Sequence, residues 1–400
     1  MVHRIFSRSL GAALLVVATG AVSITGVARA SAAVPLYRGG TATPPIATGP
    51  LVAVSSSTGG LIQGFPRVST PGTVFAIADD GQGGWYVGGH FKSVAGVACQ
   101  NLVHIRHDLT VDRAWCPRPK DDVRALVRIR STLYVGSDNM SCNTGECDGL
   151  AAFDTTTGRI TSWHPKLKES GGEAAVYNMA PDPSGSLLYV AGTFSAVGGA
   201  PRSNFAAISA SSGRATPFAP NPDTDRNGDS VDAFAVTKTR VYAWGYYAHI
   251  GGEQVRGATA ALDPRSGKVL AWRPGSDGGP YATLVTGGSV IIGGAFSRLD
   301  GKVRDDLASF GATTGAVDAW APQTGPNAIA EFIAPWKETI FAVLTHDHWS
   351  SGQRRLVAYD RNSGRVVWRS SIRLDDAVYT TAASGDTILV GGLFKSATVG

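Results

Sequence analysis

The segment 389-LVGGLFKSATVG-400 restates, with few changes, a string found much earlier in the chain, 86-YVGGHFKSVAG-96. The aromatic or apolar residue that opens this signature recurs at Tyr86, Tyr134, Tyr189, Tyr242, Ile291, Phe341 and Leu389, in steps of 48, 55, 53, 49, 50 and 48 residues. Self-similarity at such a period marks a repeat architecture. A second landmark keeps the same step: AFDTTTGRITSWHP (152–165), ALDPRSGKVLAWRP (261–274), SFGATTGAVDAWAP (309–322) and AYDRNSGRVVW (358–368), with Trp115 and Phe218 as the equivalent closing residues elsewhere.

Each unit contains four short period-two runs. The unit opening at Val231 reads VDAFAV, VYAWG, ATAALD and KVLAW, separated by turn residues. Four short strands in about 50 residues is the pattern of a propeller blade, and no unit holds a ten-residue stretch of helical period. Units open near Val74, Val123, Val176, Val231, Tyr281 and Ile329; a seventh opens at Val378 and supplies only two strands. The other half of that unit is expected at 51–66, LVAVSSSTGGLIQGFP, ending on Phe65. The reading is an all-β, seven-bladed β-propeller with four antiparallel strands per blade, its ring closed by N-terminal strands that complete the last blade.

The residue types have structural roles. The Gly pair of the second strand should allow neighbouring sheets to approach, and the turn Gly supplies positive φ. The Trp closing the fourth strand should fill the gap to the next blade, and the Pro after it (117, 165, 220, 274, 322) blunts the outer edge.

Residues 1–30 read as a signal peptide: Arg4 and Arg8 precede an uncharged stretch, and Ala28-Arg29-Ala30 is a small-x-small pattern with cleavage after Ala30 or Ala32. Residues 31–50 read as a flexible leader, and 51–400 as one propeller domain. Losing residues 1–30 removes three Arg and no acid, which takes the net charge from +5 to +2 and leaves no electrostatic footprint for nucleic acid. In an exported chain the four Cys are disulfide candidates, with three pairings open to them. Cys99–Cys116 across a hairpin and Cys142–Cys147 around the loop CNTGEC are the preferred pairs.

The hairpins TTTGRITSW, RSGKVLAW and NSGRVVW resemble the tryptophan-docking motif of the quinoprotein-like propeller superfamily. The fuller unit, from YVGGxF to the TG-x4-W hairpin, is similar to secreted bacterial propeller repeats of the delta-sixty type. The resemblance spans about residues 51–400 and implies fold and export rather than activity. Quinone enzymes of that superfamily typically carry eight blades and a disulfide between adjacent cysteines; this chain has neither, so quinone binding is not implied.

Candidate sites follow from the loops. In this strand order the loops between strands two and three leave on the same face as those between blades. Arg202, Arg256 and Arg304 hold one repeat position in three successive units. They could form a half-ring for an anionic ligand, or each could brace its own loop, which is the favoured reading. His90 and His249 stand at the same mouth. Asp223, Asp225 and Asn227, with Gly228, begin a D-x-D-x-N-G calcium loop that Asp229 or Asp232 could extend, although Phe234 stands where such loops carry Glu. In THDHW (345–349) His346 and His348 share one strand face and would need a third ligand to hold a transition metal. No nucleophile elbow, zinc-protease helix or phosphate loop occurs. The functional expectation is a secreted, monomeric binding or scaffold module for a polysaccharide, cell-wall component or protein, with Ca²⁺ the one cofactor considered. The alternative is an extracellular carbohydrate-active hydrolase or lyase.

Overall fold

The computed structural model of the chain describes residues 49–399, apart from 139–140, 143–144, 147, 224–230, 246, 256–258, 273, 326–327 and 347–353. The signal peptide, the leader, Cys147, Asp225, Asn227, Asp229, Arg256 and His348 lie outside the described residues. Those residues are all-β, and no helix among them is long and apolar enough to cross a membrane.

Among the described residues there are eleven antiparallel sheets; seven recur at the repeat spacing, each with three strands called here inner, middle and outer, and the other four are small sheets of two or three short strands. The inner strands are Thr73–Asp79, Val123–Ile129, Ala175–Pro181, Ala233–Val236, Gly279–Thr286, Ala328–Trp336 and Val378–Ser384. In the first six sheets the outer strand comes from the same repeat. In the seventh it is Leu51–Ser55, paired with Thr387–Gly392 in the register Leu51↔Gly391 to Ser55↔Thr387. The segment 51–66 thus supplies the strand that the C-terminal repeat lacks.

The expectation of four strands per sheet needs correction. A full fourth strand, Val366–Leu374, is present in the sixth sheet, where Ala397–Val399 adds to its edge. In the others the fourth run meets the third at isolated bridges such as Ile105↔Val111, Phe153↔Ile160 and Phe310↔Val317. The physical reason is the Pro that stands two residues past the aromatic in the first five sheets and has no N–H for a ladder, whereas no Pro follows Trp368 and its strand runs on to Leu374. Trp115, Trp163, Trp272, Trp320 and Trp368 donate their indole N–H to backbone carbonyls of Asp154, Ser209, Gly311, Asp360 and Ser56, at 3.0–3.2 Å. Phe218, which has no N–H, packs edge-on against Tyr189 and Phe205. The middle-strand tyrosines repeat the device: Tyr86, Tyr134, Tyr189 and Tyr242 donate to Thr155, Ala210, Pro264 and Ala312.

The core lies between sheets. One apolar cluster joins Leu102 to Val123 and Val135, the next Val127 to Val176, the next Phe205 to Phe234, and the next Trp244 to Ile292. A larger cluster runs from Leu284 through Ile333 to Ile388, and another sets Leu51, Ala53 and Leu389 against Val74 and Val87.

The two glycines of the repeated pair have different roles. A Cβ on Gly391 would come within 2.5 Å of Val74, and one on Gly88 would overlap Val123, so the first Gly does permit close sheet approach. The second, at Gly89, Gly192, Gly294 and Gly392, would instead strike the backbone of its own inner strand. That is where the register shifts by one residue, between Val74 and Ala76 in the first sheet. Cys99 and Cys116 are disulfide-bonded with Cα atoms 5.4 Å apart; the Cys142–Cys147 pairing lies outside the described residues.

Gly59 seats the indole of Trp368 and has φ +68°. Gly59→Ala should therefore cost roughly 1–3 kcal/mol of overpacking beyond the left-handed strain. Gly64→Ala, at φ +79° with nothing within 4 Å, carries the strain alone. Urea unfolding of the two variants checks this; equal midpoints would show that the docked indole contributes nothing at this turn.

Candidate functional site

The register shift creates the site. A β-bulge adds one residue to a strand, twists it and re-aims a side chain. The bulges fall at Phe75, Arg124, Tyr177, Tyr281, Glu331 and Tyr379. In the fourth sheet the ladder begins at Ala233, so Asp232 takes the equivalent place and donates its N–H to Trp244. Every one stands near the start of its inner strand, on the face from which the loops between middle and outer strands leave.

These side chains meet across sheet boundaries. The Arg124 guanidinium lies 3.9 Å over the Phe75 ring, and Phe75 is 5.4 Å from Tyr379. Arg124 is anchored to Asp138 at 2.5 Å and stands 3.6 Å from Asp122. Across the site Arg354 bonds Glu331 at 3.2 Å and lies 4.0 Å from Asp376. Burial pushes the Glu331 carboxyl up, and the Arg354 charge partly offsets it. Burial also raises the Tyr281 hydroxyl, with Asp232 and Glu331 adding to the rise. Tyr379 is raised by burial and then by Asp376. The result is a set of aromatic faces, neutral phenols and ion-paired acids in which carboxylates outnumber guanidiniums.

The residues expected from sequence are spread more widely. His90 is two-thirds exposed and bonds Asp122 at 2.6 Å, which places it at the rim beside Arg124. Asp223 bonds His249 Nδ1 at 2.9 Å and accepts the Ala248 and His249 N–H groups, so its carboxylate caps that turn. Arg202 donates to the carbonyls of Pro201 and Thr216, and Arg304 to those of Val303 and Asp318. Both guanidiniums thus brace their own sheet. His346 pairs with Ala328 in the sixth sheet. Among the described residues no three His, Cys, Asp or Glu side chains converge as metal ligands. The calcium candidate Asp232 is also a member of the bulge set. The sequence signal for that set was the second Gly of each pair, since a strand Gly often marks a bulge.

A buried acid stands in the loops of this face. Asn101 and Asn204 share φ 60° just before their outer strands, and each side-chain oxygen accepts the N–H of the Phe ten residues earlier. Asn101 also donates to the carbonyls of Pro119, Lys120 and Asp121, tying down the connection to the next sheet. Asp306 takes this position in the fifth sheet, at φ 61°. Burial, with the charge of Asp305 beside it, pushes its carboxyl up to about 7.

No family model and no curated protein matches the chain. Among solved structures it is similar to the computationally designed Ika8 protein (TM-score 0.48, 13% identity, 82% of this chain and 95% of that one). It is also similar to an extracellular domain of BT4673 from B. thetaiotaomicron (0.45, 12%, 86% and 42%). The β-propeller domain of Cps50 (Swd1) from Myceliophteria thermophila is a third likeness (0.45, 11%, 82% and 98%). All three scores are below 0.5, and none carries weight for function.

Because the Asp306 pKa is raised on folding, the folded chain holds a proton that the unfolded chain releases between about pH 4 and 7. Stability should fall as pH rises through that window, by at most about 1.4 kcal/mol per pH unit. Asp306→Asn should remove this slope and raise the Tm at pH 8, with little change at pH 4. Thermal melts across pH 4–8 test it, and a slope that survives in the variant assigns the effect to another group.

Proposed function

We propose that the chain is a secreted, monomeric, seven-bladed β-propeller that binds a neutral extracellular polysaccharide at the mouth formed by the bulge residues. Closure of the ring is supported by apolar clusters that link each sheet to the next and the last to the first. It is supported too by the Trp368–Ser56 bond and by Ser384 Oγ donating to Asp79 at 3.1 Å. Export is supported by the N-terminal pattern of basic residues, uncharged stretch and small-x-small site.

One observation carries the functional reading: seven inner strands each bring one bulge-position residue to the same end, mixing aromatic rings with charges already held in ion pairs. Aromatic faces suit the C–H faces of a sugar ring, and fixed polar groups around them suit its hydroxyls. The excess of carboxylates disfavours an anionic polymer. His90 extends the mouth at its rim, and Arg202 and Arg304 brace their own loops. Calcium in the 223–232 loop and a metal at His346 and His348 stand as separate proposals, each open to a thermal shift with EDTA and added ion.

Two measurements test the reading. Hydrogen exchange should show the amides of 51–55 as slow as those of 387–391; a frayed N-terminal strand would refute closure. On an array of neutral and acidic polysaccharides the mature protein should retain neutral glycans, and Tyr281→Ala or Tyr379→Ala should weaken binding at least tenfold, with a lowered Tm for Tyr379→Ala because its ring is buried against Phe75. Preference for acidic glycans, or binding indifferent to both tyrosines, would move the site elsewhere.

A further inference from the structure

At the opposite end of the inner strands from the bulges lies a cavity of about 700 Å³. Its walls mix apolar and polar groups, and the apolar ones come from five different sheets: Ile77, Leu126, Val285, Ala334 and Ala382. Such a volume is within the range of small-molecule sites, which combine apolar walls with a few placed polar groups.

The polar groups are of one sign. Arg128, Lys337 and Arg361 line the cavity against one acid, Asp79. Asp79 is occupied, because its Oδ1 accepts from the Gly81 N–H and the Ser384 hydroxyl. Arg128 donates to the carbonyls of Asp79 and Arg130 and forms no ion pair among the described residues. Lys337 lies 5.3 Å over the Trp336 ring, and its acid partner Asp386, 3.5 Å away, is almost fully exposed. Arg361 bonds Glu338 at 2.5 Å, and that side chain is two-thirds exposed. Exposed pairs of this kind are weak, so an anionic ligand can compete for Lys337 and Arg361 beside the unpaired Arg128.

The geometry points to a second binding site, one for a small organic anion: an apolar, ring-sized body against the wall of the cavity, with a carboxylate, sulfonate or phosphate ester toward the Arg128–Lys337–Arg361 rim. Guanidinium groups match the planar fork of such oxyanions better than ammonium does. This site is independent of the polysaccharide mouth, since it lies at the other end of the inner strands and shares no residue with the bulge set.

Calorimetry of the mature protein at low ionic strength with 2-naphthoate, 2-naphthol and inorganic phosphate tests the assignment, with Trp336 fluorescence as a second readout. Naphthoate should bind at least tenfold more tightly than naphthol, and phosphate at least tenfold more weakly than naphthoate. Arg361→Met and Arg128→Met should each weaken naphthoate at least fivefold. Because Arg128 also braces backbone carbonyls, Arg361→Met is the decisive variant if Arg128→Met lowers the Tm. Equal binding of naphthoate and naphthol, phosphate binding as tightly as naphthoate, naphthoate binding unchanged in Arg361→Met, or no heat and no quench at 1 mM naphthoate would each overturn it. Glycan retention measured on the same variants stays unchanged if the two sites are separate.

Discussion

Each sheet in this protein places an indole or phenyl ring against the next, and the rest of the structure is arranged around that contact. A three-stranded sheet with apolar residues on both faces has no independent stability in water. Here the covering layer is the neighbouring sheet, and the ring of Trp115, Trp163, Phe218, Trp272, Trp320 or Trp368 sits where the two meet. The contact sets further requirements. The receiving carbonyl takes the indole N–H on a second lone pair, since Asp154, Ser209, Gly311 and Asp360 already accept the N–H of their turn glycines. A turn glycine must leave room for the ring, as Gly59 does for Trp368 and Gly158 for Trp115. A Pro past the aromatic residue ends the donating run in the first five sheets, which leaves three full strands and a bridged remnant.

How much of this was legible depended on the kind of signal. The period, the pairing of 51–55 with the C-terminal repeat and the docking role of Trp were readable because each leaves a residue type at a fixed spacing. The Cys99–Cys116 bond was readable for the same reason. The second Gly was misassigned because composition says only that no side chain fits. It does not say whether the obstacle is the neighbouring sheet, as Val123 is for Gly88, or the sheet's own backbone, as Thr73 is for Gly89. The bulge residues were missed in consequence. A ladder shift leaves period-two alternation almost intact, and the seven positions hold Phe, Arg, Tyr, Asp, Tyr, Glu and Tyr, which share no chemistry that a pattern could catch.

The two ends of the inner strands differ in sign. Asp122, Asp138, Asp232, Glu331 and Asp376 gather with two arginines at one end, and Arg128, Lys337 and Arg361 surround the cavity at the other. A single scaffold thereby offers two environments of different polarity, with the apolar packing between sheets separating them. Fold alone predicts neither, since both arise from residues that vary from repeat to repeat.

The bond from Trp368 to Ser56 also has a meaning in time. The 312 residues between them take roughly 15–60 s to synthesise at about 5–20 residues per second. Throughout that interval Leu51–Ser55, an apolar strand buried in the folded protein, has left the ribosome without its partner. It is the first strand made and among the last to be satisfied, so a holdase acting on the nascent chain has its natural hold at this segment.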